Sequence, residues 1–503
     1  MVRLVNRASS PVGAAAAAAT AALSLLSLAI TGSNAQNTCD NALKPNYAFP
    51  IASNGWRAQL IAGGMSRPRD MIWDTKGALL VTEGTGVTYF NIVDNNGCIS
   101  VENKKILVND TENYNHGIEI SPDGKVLYLS TPDQVHAWDY DADAVSVSNR
   151  RVIVTNMYNE DHYTRTLLLS SKRPDLLLVS RGSAANMDEL SASKEEGIAQ
   201  IRAFNVSAVP SSGPYDYPSQ GTLIGWGLRN SVGVAEHPVT GGIYSVENSA
   251  DGLHRFGVDI HNDNPGEELN FHGYLNGSLP EGRNYGYPVC FSVYDPSLLP
   301  ERGTLQVGNN FALESGDLVN DETCNRDYEP ARLTFTAHMA PLDIKFTSRG
   351  DRGFISFHGS WNRDDPQGYK VSYVPWDERT GEPVAESTNN SAIVDVLRNA
   401  DSSSCSQKGC FRPAGLLLDA KGRLFVTSDH QGEIWVLDEG DYTYPDNTQG
   451  GDDQTQTGDG AAEASTSSPA MRAAGRVATE GWLMMGLTVV FSLVGGVWFV
   501  VAY

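Results

Sequence analysis

The stretch PAGLLLDAKGRLFVTSD, from Pro413 to Asp429, sets two apolar runs on either side of Lys421-Gly422. Two short apolar arms around a Gly-bearing turn are the signature of a β-hairpin. The same organisation recurs at Asp70–Gly84, His116–Thr131, Arg165–Gly182, Asn230–Asn248 and Leu342–Gly359, with Asp123-Gly124, Gly241-Gly242 and Gly350-Asp351 at turns. A lone hairpin cannot bury its apolar faces, so such units need neighbours stacked beside them. Six units with no helical period between them predict an all-β chain, a six-bladed β-propeller, with long inter-blade insertions at Asp251–Thr336 and Glu378–Cys410. Equivalent positions of a closed ring share one face. Arg67, Arg69, His116, Arg165, Arg229-Asn230 and Arg412 enter the first strands, and Glu83, Arg181, Glu247-Asn248, His358 and Asp429-His430 follow the second. These polar residues are therefore expected to converge on one central pocket.

The 503 residues carry a formal charge of −23, which argues against a nucleic-acid partner because phosphate backbones demand a basic surface. Residues 1–35 read as a secretory signal, with Arg3 and Arg7, an Ala/Leu-rich core and Ser33-Asn34-Ala35 at the cleavage site. The six-bladed ring is expected over 36–440. The polar stretch 441–480 reads as a disordered linker, and the uncharged tail Gly481–Tyr503 as a GPI-attachment signal, with a transmembrane helix as the alternative. Attachment near Ser465-Thr466-Ser467 or near Ala473-Ala474-Gly475 remains open. Six cysteines in an oxidising compartment predict three disulfides, expected as Cys39–Cys98, Cys290–Cys324 and Cys405–Cys410. Sequons at Asn109, Asn205, Asn276 and Asn389 fit a secreted glycoprotein.

No G-x-G-x-x-G, C-x-x-C-H or G-x-S-x-G occurs, which disfavours a Rossmann nucleotide site, excludes covalent haem in this chain and removes the commonest hydrolase signal. What stands out instead is the set Arg69, Arg181, Arg229 and Arg412. Guanidinium groups sharing one enclosed site repel one another unless an anion lies between them, so the expected ligand is polyanionic. Pairing with acids of neighbouring blades is the alternative for each of the four. His116 and His358 offer proton chemistry near neutral pH, and His358 is equally suited to a structural role.

Arg229-Asn230-Ser231-Val232-Gly233, Glu247-Asn248-Ser249-Ala250, Glu267-Glu268-Leu269-Asn270 and Asn284-Tyr285-Gly286-Tyr287-Pro288 occur in this order. With His358-Gly359-Ser360-Trp361-Asn362-Arg363 they resemble the soluble quinoprotein glucose/sorbosone dehydrogenases, and most of all the fungal pyranose dehydrogenases of that family. The resemblance spans about residues 40–438. It implies pyrroloquinoline quinone (PQQ), a planar tricarboxylate, as the anion, with Ca²⁺ as Lewis acid on backbone carbonyls of Ser249 and Ala250 and with Asp251 as a further ligand. It further implies a carbohydrate substrate, oxidised at the anomeric carbon to a lactone. His116 would take the hydroxyl proton, Arg229 would stabilise negative charge on the quinone and Asn230 would orient its edge. Arg69, Arg181 and Arg412 would hold carboxylates, and His358 and Trp361 would line the cavity. The family places its histidine further from the Pro-Asp-Gly turn than His116 stands from Pro122-Asp123-Gly124, so His358 is a rival base. Electrons would pass to a b-type cytochrome on another protein. A Ca²⁺-dependent lactonase and a non-catalytic cell-surface binding propeller are the alternatives on the same fold.

Overall fold

The computed structural model describes Cys39 and residues 42–440, apart from 85, 110–111, 278–281, 317, 404 and 406–408. The expected signal, linker and tail lie outside the described residues. No helix among the described residues is long and apolar enough to cross a membrane.

Each predicted hairpin forms the inner two strands of a blade. In blade one, Met71–Trp73 and Leu79–Glu83 are followed outward by Gly86–Asn95 and Cys98–Asn109. Blades two and three repeat this meander from Ile118–Ile120 and Leu167–Leu169. Blade four runs Ser231–Glu236, Gly242–Glu247, Glu267–Tyr274 and Leu333–Phe335. Blade five runs Pro341–Phe346, Arg352–Phe357, Lys370–Asp377 and Val394–Arg398. The segments 251–336 and 378–410 thus do more than bridge blades, because each also supplies outer strands to the blade it interrupts. The ring closes in blade six, where Glu433–Glu439 pairs antiparallel with Trp56–Ala62 from the opposite end of the described chain.

In the quoted hairpin, Asp419 Oδ1 accepts from the amides of Lys421 (2.9 Å) and Arg423 (2.8 Å), and Gly422 supplies the positive φ of 77° that closes the turn. Apolar faces of adjacent blades pack as sheet on sheet, as in the cluster of Leu60, Phe354, Val371, Leu416, Val426 and Trp435. Gly415 allows blade six to approach blade one closely. A Cβ there would stand 2.1 Å from the Arg69 carbonyl.

Hydroxyls join the inner rims. Thr82 Oγ1 donates to the His116 carbonyl (2.7 Å), Ser130 Oγ to Arg165 (2.6 Å), Ser356 Oγ to Ala414 (2.5 Å) and Thr427 Oγ1 to Arg69 (2.6 Å). In each case the end of one blade's second strand meets the start of the next blade. Thr166 Oγ1 to the Val232 carbonyl and Asn248 Nδ2 to the Pro341 carbonyl (2.7 Å) serve the remaining two seams. These bonds set the register of six neighbouring strand ends, and therefore the positions of the side chains around the axis. All three expected disulfides are present, Cys39–Cys98, Cys290–Cys324 and Cys405–Cys410.

Candidate active site

Blades one, five and six bring four charged or titratable side chains into one chain of contacts. Arg69 Nη1 meets Asp429 Oδ2 at 2.6 Å, and the other carboxylate oxygen of Asp429 lies 2.8 Å from His358 Nε2. Arg412 Nη2 stands 3.2 Å from His358 Nδ1. The polar order is therefore Arg69, Asp429, His358, Arg412. Arg412 also donates to the carbonyls of His358 (3.3 Å) and Gly359 (3.4 Å), and it makes no ion pair with a carboxylate among the described residues. Burial pushes the Asp429 carboxyl up, but His358 and Arg69 outweigh it and hold it well below the usual carboxylate range. Burial also lowers His358, against the pull of Asp429.

His116 adjoins this chain and is only 2% exposed. Arg69 Nε donates to its Nδ1 at 3.4 Å, and the ring's other hydrogen bond goes to the backbone of Val232. That arrangement puts the hydrogen on Nε2 and leaves the Nδ1 lone pair facing Arg69. Burial, followed by the Arg69 and Lys345 cations, holds His116 well below the ordinary imidazole range. A neutral imidazole at working pH is the form a proton acceptor needs.

Arg229 belongs to a second group on the same rim. It pairs with Asp251 Oδ2 at 3.0 Å, and Asn186 meets it twice, through Oδ1 (2.8 Å) and through its carbonyl (3.1 Å). Asn186 also bonds the backbone of Asp251 in both directions, 2.8 and 2.9 Å. His338 Nδ1 takes the other oxygen of Asp251 at 3.3 Å. Burial raises Asp251, yet His338 and Arg229 outweigh it and hold it below the ordinary range. His162, pushed down to about 4 by burial and then by Arg229, lies here against Gly182, as does Asn230. A Cβ on Gly182 would meet His162 Cβ at 2.7 Å and Asn230 Oδ1 at 2.8 Å, so only glycine permits this approach.

Ser249 donates its amide to Glu267 Oε2 (2.7 Å), while its carbonyl and that of Ala250 take no hydrogen bond from a described residue. Two open backbone carbonyls are hard oxygen donors that suit Ca²⁺. The Asp251 carboxylate is engaged by Arg229 and His338 instead. No cluster of three or more His, Cys, Asp or Glu among the described residues is arranged to hold a metal.

Two expected site residues stand apart from these groups. Arg181 is held by Asn159 Oδ1 (2.9 Å) and by the carbonyls of Gly197 (3.0 Å) and Tyr158 (3.0 Å), three acceptors of its own surroundings. Trp361 is 73% exposed on the loop after His358. Sequence reasoning singled out neither Asn186 nor a role for Asp429. Asn186 lies in a blade-three loop with no counterpart in the repeat, whereas Asp429 stood at a ring position and could have been found by asking which acid balances Arg69.

Two groups of basic, acidic and imidazole side chains therefore lie at the hub of a six-bladed propeller. The chain belongs to the family described as TrAA12-like, whose model matches residues 50–440. A "Pyrroloquinoline quinone-dependent sugar dehydrogenase" of Hypocrea jecorina is 45% identical over 409 residues, covering 80% of this chain and 92% of that protein. A "Pyrroloquinoline quinone-dependent pyranose dehydrogenase" of Coprinopsis cinerea is 37% identical over 80% of this chain, which spans 56% of that longer protein. Among solved structures, a calcium structure of a Trichoderma reesei carbohydrate-active enzyme of family AA12 aligns with TM-score 0.76 and 46% identity, covering 79% of this chain and 99% of that one. The holo form of the Coprinopsis cinerea pyranose dehydrogenase PQQ domain aligns with TM-score 0.74 and 37% identity, covering 79% and 99%. The resemblance read from the sequence motifs is borne out by these relatives.

Proposed function

We propose that the chain is a PQQ-dependent sugar dehydrogenase that oxidises the anomeric carbon of pyranoses or 2-ketoaldoses to lactones or acids. The observation that carries this reading is Arg412, a half-buried cation whose partners are two carbonyls and an imidazole nitrogen rather than a carboxylate. A guanidinium held by neutral acceptors keeps its affinity for an anion, and Arg69 stands at the other end of the same contact chain. A planar tricarboxylate fits that donor set. PQQ, when bound, supplies the two-electron acceptance that no side chain offers.

The residues divide the remaining work. Arg69 and Arg412 hold carboxylates. Arg229 and Asn230 would serve the group from blade four, where Arg229 is already oriented by Asn186 and could stabilise developing negative charge. His116 accepts the hydroxyl proton at Nδ1, where its present donor Arg69 makes only a long 3.4 Å contact. The Ser249 and Ala250 carbonyls offer oxygen ligands to Ca²⁺, and Asp251 joins only by exchanging a present partner. Trp361 presents an open aromatic face to a sugar. Reducing equivalents pass to an external acceptor such as a b-type cytochrome. The three disulfides support a secreted enzyme.

The test is titration of purified apoprotein with PQQ and Ca²⁺, followed by aldoses, fucose and 2-ketoaldoses with an artificial electron acceptor. A visible absorbance change on PQQ addition and turnover on at least one sugar are expected. Chelator dialysis should abolish both, and Ca²⁺ should restore them. His116→Ala should keep cofactor binding and lose turnover by roughly 10²- to 10⁴-fold. No cofactor-dependent turnover on any sugar would favour the binding propeller, and lactone hydrolysis without PQQ would favour the lactonase.

A further inference from the structure

Asp429 joins three blades at the hub. It leaves blade six after Leu424–Ser428, reaches Arg69 of blade one with one oxygen (2.6 Å) and His358 of blade five with the other (2.8 Å), and is 5% exposed. A carboxylate only accepts, so His358 must carry its hydrogen on Nε2, and its Nδ1 is left to accept from Arg412 at 3.2 Å. Arg69, pinned by the same carboxylate, is the group that donates to His116 Nδ1 at 3.4 Å. One acid therefore sets the tautomer of one histidine and places the cation that faces the lone pair of the other.

We infer that Asp429 is the positioning residue of this site, locking His358 as a hydrogen-bonded anchor and aligning Arg69 with His116, so that His116 alone acts as the base. This follows from connectivity. Both nitrogens of His358 are committed inside a chain of charged partners, whereas His116 has a single long bond at Nδ1. The charged groups facing His358 are Asp429, Arg412 and Arg69. The sugar-oxidising role of the site is taken from the reading above, but the first measurement below needs neither cofactor nor sugar.

The experiment records imidazole nitrogen resonances of histidine-labelled, cofactor-free protein for wild type, Asp429→Asn and Asp429→Glu. In wild type, His358 should show hydrogen on Nε2 and an accepting Nδ1. In Asp429→Asn that signature should change, and His358 should titrate at lower pH because the carboxylate that favours its protonated form is gone. Asp429→Glu should restore part of the wild-type pattern. With PQQ bound, Asp429→Asn should lose roughly 10- to 100-fold in kcat, as for other residues that orient a reacting group, with KM changed far less. The losses in Asp429→Asn and His358→Gln should be non-additive in the double variant. An unchanged His358 pattern in folded Asp429→Asn, or additive losses, would overturn the inference. If Asp429→Asn does not fold, the Glu variant decides: a His358 signature with hydrogen on Nδ1 despite the retained carboxylate would overturn it. Absence of any sugar turnover with intact nitrogen signatures would remove the proposed reaction and leave the positioning role standing.

Discussion

Arg412 enters the first strand of its blade, Arg181 ends the second strand of its own, and the two have opposite needs. Arg412 makes three long bonds to neutral acceptors, 3.2 to 3.4 Å, whereas Arg181 makes three short ones, 2.9 to 3.0 Å, to the buried Asn159 Oδ1 and to the carbonyls of Gly197 and Tyr158. Arg412→Gln should therefore weaken PQQ binding by roughly 1.5–3 kcal/mol, an order of magnitude or more in Kd, with little change in chemical denaturation. Arg181→Gln should do the reverse, costing roughly 1–3 kcal/mol of stability by stranding the buried Asn159 Oδ1 and the Gly197 carbonyl while PQQ affinity is kept. Fluorescence titration and urea unfolding of the two variants separate these outcomes. Ring position in the sequence singled out Arg69, His116, His358 and Arg412, which the fold does bring into one set of contacts, because such residues share a face. It could not tell a guanidinium with long contacts from one held by short bonds, since the carbonyls that take Arg181 belong to loops with no repeat. Asn186 was illegible for the same reason.

At the level of strands, the hydroxyls at the inner rims do the joining between blades. Thr82 is fully buried and bonds the carbonyl of His116 itself, so Thr82→Val should cost roughly 1–3 kcal/mol in urea unfolding by leaving that carbonyl unpaired. It should also lower kcat more than a comparable loss at Ser356, whose acceptor is Ala414. Inner strands could be read from sequence because their apolar runs are short, regular and separated by turn residues. Outer strands could not. Cys98–Asn109 is largely exposed and polar, and Glu267–Tyr274 begins with two buried glutamates, so neither shows the alternation of a half-buried strand. Tertiary pairing overrides local preference there.

Across the whole molecule, buried acids should shape stability against pH. Burial pushes Glu119 and Glu247 up to about 8, and Glu267, Glu268 and Asp343 to about 7. Their folded values exceed those of the unfolded chain, so the native state binds more protons between the two. The stability they contribute is full below the unfolded value and is lost as pH rises through the folded one. The lowered histidines oppose this only below about pH 6.5, where unfolded imidazole protonates. Tm should therefore fall from about pH 6.5 to about pH 8, and Glu247→Gln, which removes one titrating group, should make that fall shallower in calorimetric scans. A Tm that rises over this interval would contradict the assignment.

The pairing of Trp56–Ala62 with Glu433–Glu439 also governs timing during synthesis. Arg69 and His116 leave the ribosome more than three hundred residues before Asp429, and Trp56–Ala62 must wait for the last described strand before it has a partner. Until then its unpaired edge and the apolar flanks of the terminal blades stay available to chaperones and to other nascent chains. A polypeptide stopped before Glu433 would possess most of the sheet yet lack its clasp, so quality control in the cell should see the enzyme as incomplete almost to its final strand.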